Sequence, residues 1–240
     1  MPSTSEAARA LGPALTLALL AQLGAASLAS AQQSIFNVPA TTGTASGEVF
    51  VQEQLNLGER GESNLTIDYG LPEGVELGLN VFAVGLYDVR GPLEQSPMLL
   101  LNGAWTVDAA RWIRVQIGAQ VGARVPLPSE ATGAALGWAS LRLRGGDFGD
   151  WIVGTYAGTH DYLGTGTQLG VMGGFELPIV RDRLALAADF LFGTNHASVG
   201  VAGVVVFLPD GFQLSLGAQF PSPLSPNAFG GVLEVTRVPP

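Results

Sequence analysis

Along WIRVQIGAQVGAR, residues 112–124, the apolar side chains Ile113, Val115, Ile117, Ala119, Val121 and Ala123 alternate with Arg114, Gln116, Gly118, Gln120, Gly122 and Arg124. A period of two marks a β-strand, because successive side chains leave opposite faces of the pleat. The pattern recurs and predicts an all-β chain of twelve strands, at 47–57, 64–71, 75–84, 98–107, 112–124, 134–144, 150–158, 167–177, 184–192, 197–207, 212–220 and 228–237. Dividing 134–158 otherwise would give ten or fourteen.

The connections alternate in character. PEG (72–74), VDAAR (107–111), RGGDFGD (144–150), PIVRDR (178–183) and LPDG (208–211) carry tight-turn chemistry. GERGES (58–63), LYDVRGPLEQSP (86–97), VPLPSEATG (125–133), GTHDYLGTG (158–166), GTNHA (193–197) and PSPLSPN (221–227) are looser, and several are longer. Alternating short and long connections over an even number of strands predict a closed up-and-down antiparallel barrel with its short turns at one rim.

The two faces of the strands decide what surrounds that barrel. One parity reads Leu65, Ile67, Tyr69; Leu77, Leu79, Val81; Leu186, Ala188, Phe190; Val199, Val201, Val205, Phe207; Leu214, Leu216, Ala218. The other reads Thr66, Asp68; Glu76, Gly78, Asn80; Gln213, Ser215, Gly217, Gln219, which is polar but sparsely charged. Water-facing surfaces need more charge than this, whereas a membrane barrel needs only a polar interior. Tyr69, Trp105, Trp112, Phe175, Phe207 and Phe212 fall near the short turns, and Tyr87, Phe192 and Phe220 near the loops, as two interfacial girdles would. Glu53 falls on the apolar parity of its strand and requires a bulge or a rim position to be tolerated there.

Composition agrees. Only 13% of the 240 residues are charged against 47% hydrophobic, and the net charge of −9 argues against a nucleic-acid partner. No Cys is present, which removes disulfides and thiol chemistry. Arg9, the apolar run after it and Ala29-Ser30-Ala31 predict a cleaved signal peptide over 1–31. Residues 32–46 are then an N-terminal periplasmic segment, and the barrel spans 47–240.

With its export signal and twelve alternating segments, the chain resembles the bacterial outer-membrane β-barrel superfamily, in particular its twelve-stranded, porin-like members. The resemblance implies a monomer in the outer membrane, surrounded by lipid and lipopolysaccharide and placed there by barrel-insertion machinery. It implies passive passage of small hydrophilic solutes or ions, with no cofactor and no metal.

On the polar parity, Arg114, Arg142 and Arg144 form one basic wall near the short turns. Glu48, Asp68, Glu76 and Glu234 form an acidic wall at similar depth, with Glu176 and Asp189 beyond. These pore-lining groups either set up a transverse field across a narrow lumen or pair and stiffen it. A different class of function is a lipid hydrolase. His196 and Ser198 have the two-residue spacing some barrel hydrolases use, yet no neighbouring acid is placed to orient the imidazole. A third reading is a closed structural barrel of the envelope, and a fourth is a soluble exported β-protein. His160 and Asp161 lack further ligands for a metal.

Overall fold

The computed structural model describes residues 34–39, 41–126 and 129–238; the expected signal segment lies outside them. Twelve long strands run β1 Val49–Leu57, β2 Arg60–Gly70, β3 Val75–Asp88, β4 Met98–Ala110, β5 Ile113–Arg124, β6 Thr132–Arg144, β7 Asp150–Gly158, β8 Leu169–Val180, β9 Leu184–Phe192, β10 Val199–Phe207, β11 Phe212–Pro221 and β12 Gly230–Arg237. Each pairs antiparallel with its neighbours in sequence. β12 returns to β1, from Gly231 opposite Leu57 to Arg237 opposite Val51, and closes the barrel.

The short rim is built from repeated turn chemistry. Leu71-Pro72-Glu73-Gly74 and Leu208-Pro209-Asp210-Gly211 fold alike, with proline presetting the first turn residue and the acid at φ 62° and 60° before glycine at 73° and 76°. Leu71 N–H donates to the Val75 carbonyl at 2.7 Å and Leu208 N–H to that of Phe212 at 2.8 Å, so both hairpins close the same way. At the other rim lie 89–97, 125–126 with 129–131, 159–168, 193–198 and 222–229, together with one connection shorter than expected. GERGES is not a loop: β2 starts at Arg60, and only Gly58 and Glu59 reverse the chain. β3 carries a bulge at Ala83, whose φ of 56° breaks the ladder opposite β2, and Asn64 Oδ1 accepts the Ala83 N–H at 2.8 Å in its place.

Side-chain alternation follows the opening segment. Ile117 and Val121 are exposed on the outer wall while Gln116 is buried within. Leu79 is 57% exposed and the next residue, Asn80, 2%. Tyr69, Trp105, Trp112 and Trp151 ring the outside near the short turns, with Trp151 tilted against Phe175 at 5.2 Å. Phe190, Phe192, Phe220 and Phe229 pack in pairs toward the other rim. β10 departs from the expected facing. Val199, Val201, Val205 and Phe207 point inward, not outward, because VGVAGVVVF is apolar on both parities and alternation cannot orient it. Glu53 stays on the outer wall at mid-strand, opposite Leu65 and Val235, and accepts a hydrogen bond from the Ser63 hydroxyl.

What β10 faces explains its orientation. Residues 34–39 and 41–46, expected as a segment apart from the barrel, lie inside it as a strap. Ser34–Ile35 and Val38–Pro39 pair as a small hairpin, and Ile35, Phe36 and Val38 are buried against Met172, Ala185, Ala187, Leu191, Val201 and Val205. Phe36, at φ 53°, packs over Gly217, where an added Cβ would lie 3.0 Å from its ring. Full burial of three such side chains contributes roughly 1.5–3 kcal/mol each, an upper bound because an unfolded chain already hides part of that surface.

The inversion predicts a simple readout. Because the chain has no Cys, spin labels on Leu79→Cys and Asn80→Cys each report one site. The first should be relaxed by oxygen in a bilayer and the second shielded from it, and the opposite order would reverse the two faces.

Candidate functional site

The strap crosses the lumen between two anchors made by barrel carboxylates. At one wall, Asp189 of β9 accepts the N–H groups of Asn37 and Val38 through Oδ2, the latter at 2.8 Å. Gln54 of β1 donates to the Asn37 side-chain oxygen at 3.3 Å. At the opposite wall, Glu76 of β3 accepts the Thr44 N–H at 2.9 Å. Next to it Gly47 N–H donates to the Gly70 carbonyl at 2.8 Å, and Gly70 N–H donates to that of Glu48 at 3.0 Å. Gly70 has no room for more: an added Cβ would stand 2.0 Å from the Ala45 carbonyl oxygen. Carboxylates accepting backbone N–H groups are among the stronger hydrogen bonds, so two acids hold a peptide that has little secondary structure of its own.

Beside the strap, on the β1–β5 wall, a cavity of about 690 Å³ is lined at its base by Phe36, Asn37, Asp68, Glu76 and Gln116 and toward the looser rim by Arg60, Arg90, Arg124, His196 and Asn227. Its middle is mostly amide: Gln52, Gln54, Asn64, Asn80, Asn102 and Gln120. Trp138 and Tyr156 close the far side, Trp138 Nε1 donating to Gln116 at 3.0 Å.

The candidate pore residues sort into three groups. Arg114, Arg142 and Arg144 are at the short-turn rim, where the sequence placed them together, but each is bound by an aspartate of that rim. Arg114 grips Asp108 in two hydrogen bonds, at 2.8 and 3.2 Å, Arg144 reaches the same carboxylate at 2.9 Å, and Arg142 pairs with Asp150. Glu176 stands opposite Asp150 on the ladder, within reach of Arg142. Asp68, Glu76, Asp189 and Glu234 are the second group, all buried in the lumen wall, and two of them anchor the strap. Glu48 precedes β1, partly buried, and contributes its carbonyl. The third group belongs to the looser rim and was not singled out from the sequence: Arg60 with Glu62 at 2.9 Å, Arg90 with Glu59, and Arg124, which donates to the Asp161 carbonyl at 2.6 Å. The parity of Arg60 and Arg124 along their strands was the signal that could have found them, whereas Arg90 lies in the loop after β3 and had none.

His196 and Ser198 do not meet. The Ser198 hydroxyl donates to Asn195 Oδ1 at 2.9 Å and lies 3.4 Å from the Tyr156 hydroxyl, while Asn195 Nδ2 donates to the Thr167 carbonyl at 2.7 Å. This is a loop knot that ties 193–198 to Tyr156 of β7 and to Thr167 in the loop before β8. His196 points across to Gly164, and burial, then the Arg124 charge, hold its imidazole below the usual histidine range.

No family model and no curated protein matches the chain. Solved structures do, two porins among them. A KdgM porin in complex with disordered oligogalacturonate superposes with a TM-score of 0.59 over 78% of this chain and 98% of that one, at 8% identity. A second KdgM porin gives 0.57 over 78% and 96%, again at 8% identity. The chain has the twelve-stranded porin fold. At that identity the likeness concerns backbone architecture, and the strap, the rim pairs and the amide-lined cavity are properties of this chain's own residues.

The anchors can be tested without activity. A single cysteine at Val38 should react slowly with a water-soluble maleimide in the folded barrel. Adding Gly70→Val, which forces the strap off its wall, should raise that rate at least tenfold, and equal rates would mean the strap is not held there.

Proposed function

We propose that this chain is an outer-membrane barrel of the bacterial envelope that passes small hydrophilic solutes or ions passively, and that the arrangement described here is its closed state. The observation that carries the proposal is the inversion of a closed barrel: an apolar outer wall between two aromatic girdles, around an amide-lined cavity of about 690 Å³. Backbone groups in hydrocarbon have no water to bond, and the closed ladder leaves none facing outward. Export by a cleaved signal over 1–31, assembly by insertion machinery and a monomeric state in lipid and lipopolysaccharide belong to the same reading. A porin of like shape, in complex with oligogalacturonate, supports a hydrophilic solute in general. The barrel works in this reading without a catalytic group, metal or cofactor, and the Ser198 hydroxyl serves its own loop.

The strap favours a second reading, a closed barrel that stiffens the envelope and transports nothing. Conductance separates the two. Wild type in planar bilayers should show rare openings and Gly70→Val frequent ones, with liposomes carrying the variant swelling in a neutral sugar. Silence and no swelling in both proteins would reject passage and leave the structural barrel.

A further inference from the structure

We infer that the base of the cavity is a binding site for a solute carrying a protonated amine beside a hydroxyl, as in an amino sugar; the inference rests on the passage proposed above only for the route the solute takes afterwards. Asp68 of β2 is opposite Gly78 of β3, and Glu76 lies two residues before Gly78 on the same face, so the two carboxylates are diagonal neighbours across one strand pair. They are 3% and 7% exposed, and both line the cavity. Two carboxylates this close, out of bulk water, ionise together only against mutual repulsion and lost hydration, and a positive group placed between them offsets both costs.

The polar atoms around them are incompletely matched. Asp68 Oδ1 has no hydrogen-bond partner among the described residues, and no ion pair among those residues involves Asp68. Gly78 makes space for that oxygen, since a Cβ there would stand 1.8 Å from it. Asn80, the next inward residue on β3, accepts from Asn102 Nδ2 at 3.1 Å, but its own Nδ2 has no partner. An unmatched acceptor and an unmatched donor therefore sit at diagonal positions of one strand pair, on residues that both line the cavity. An ammonium group donates three hydrogen bonds and can serve Asp68 and Glu76 together, while a hydroxyl on the adjacent carbon accepts from Asn80. Six arginines are engaged elsewhere. Arg114, Arg142 and Arg144 are bound to rim aspartates, and Arg60, Arg90 and Arg124 lie toward the opposite rim. A polyanion such as the oligogalacturonate of the similar porin meets the wrong sign at this depth.

The test is calorimetric titration of the full-length folded chain in detergent with glucosamine and with N-acetylglucosamine, which keeps the ring and loses the charge. Glucosamine should bind saturably, one per barrel, at least tenfold more tightly than the acetylated sugar. Asp68→Asn, near-isosteric and relieving a repulsion, should weaken it at least tenfold, and Glu76→Gln should do the same. Glu73→Gln, in an exposed turn outside the lumen, should change nothing, which separates this site from general attraction to an acidic protein. Equal affinity for the two sugars, no saturable binding of glucosamine, or indifference to both lumen substitutions would overturn the inference. Binding that persists in a barrel without conductance or swelling refutes passage and leaves this site standing.

Discussion

Every strand of this molecule is paired along both edges, which meets the requirement of the membrane setting proposed above: a backbone amide surrounded by hydrocarbon must find its partner on another strand, because water is not there to replace it. A sheet meets that requirement only by joining its first strand to its last, here β12 to β1 through Gly231–Arg237 and Val51–Leu57. The remaining architecture is a consequence. Closing twelve tilted strands creates a space wider than side chains alone can fill, and the protein must then decide what occupies it.

It does so unevenly around the ring. On the β8–β10 side the inner wall is largely apolar, with Met172, Ala185, Ala187, Leu191, Val201 and Val205, and such a wall facing water would be unfavourable by the usual ~25 cal/mol per Å². The strap covers it with Ile35, Phe36 and Val38. On the β1–β5 side the wall is amide and carboxylate, and there the cavity remains. Charge is handled in the same divided way. Arg114, Arg142 and Arg144 at one rim and Arg60, Arg90 and Arg124 at the other have oxygen partners close by, whereas the lumen acids sit deep, two of them committed to strap amides.

Much of this could be read from the residues alone, for reasons specific to each element. Alternation located all twelve strands to within a few residues because barrel strands see two different media, and it oriented β2, β3, β5, β9 and β11 because one parity of each carries Gln, Asn, Asp or Gly. It failed at VGVAGVVVF, where both parities are apolar and only the distant strap decides the matter. Phe207, counted with the girdle, faces inward for that reason. SIFNVPATTGTAS is too short and irregular to announce that it docks, and its partners Asp189 and Gly70 are far along the chain. The depth of Arg114, Arg142 and Arg144 was legible. Their partners were not, because Asp108 and Asp150 looked like turn residues and are in fact the ends of β4 and β7.

The position of the strap in the chain bears on how the molecule is put together. It runs directly into β1, one of the two edges that meet last when the circle is completed, and those edges are separated by almost the entire polypeptide. The filling is therefore tethered beside the gap that has to shut, and it can settle against β8–β11 before the final ladder zips.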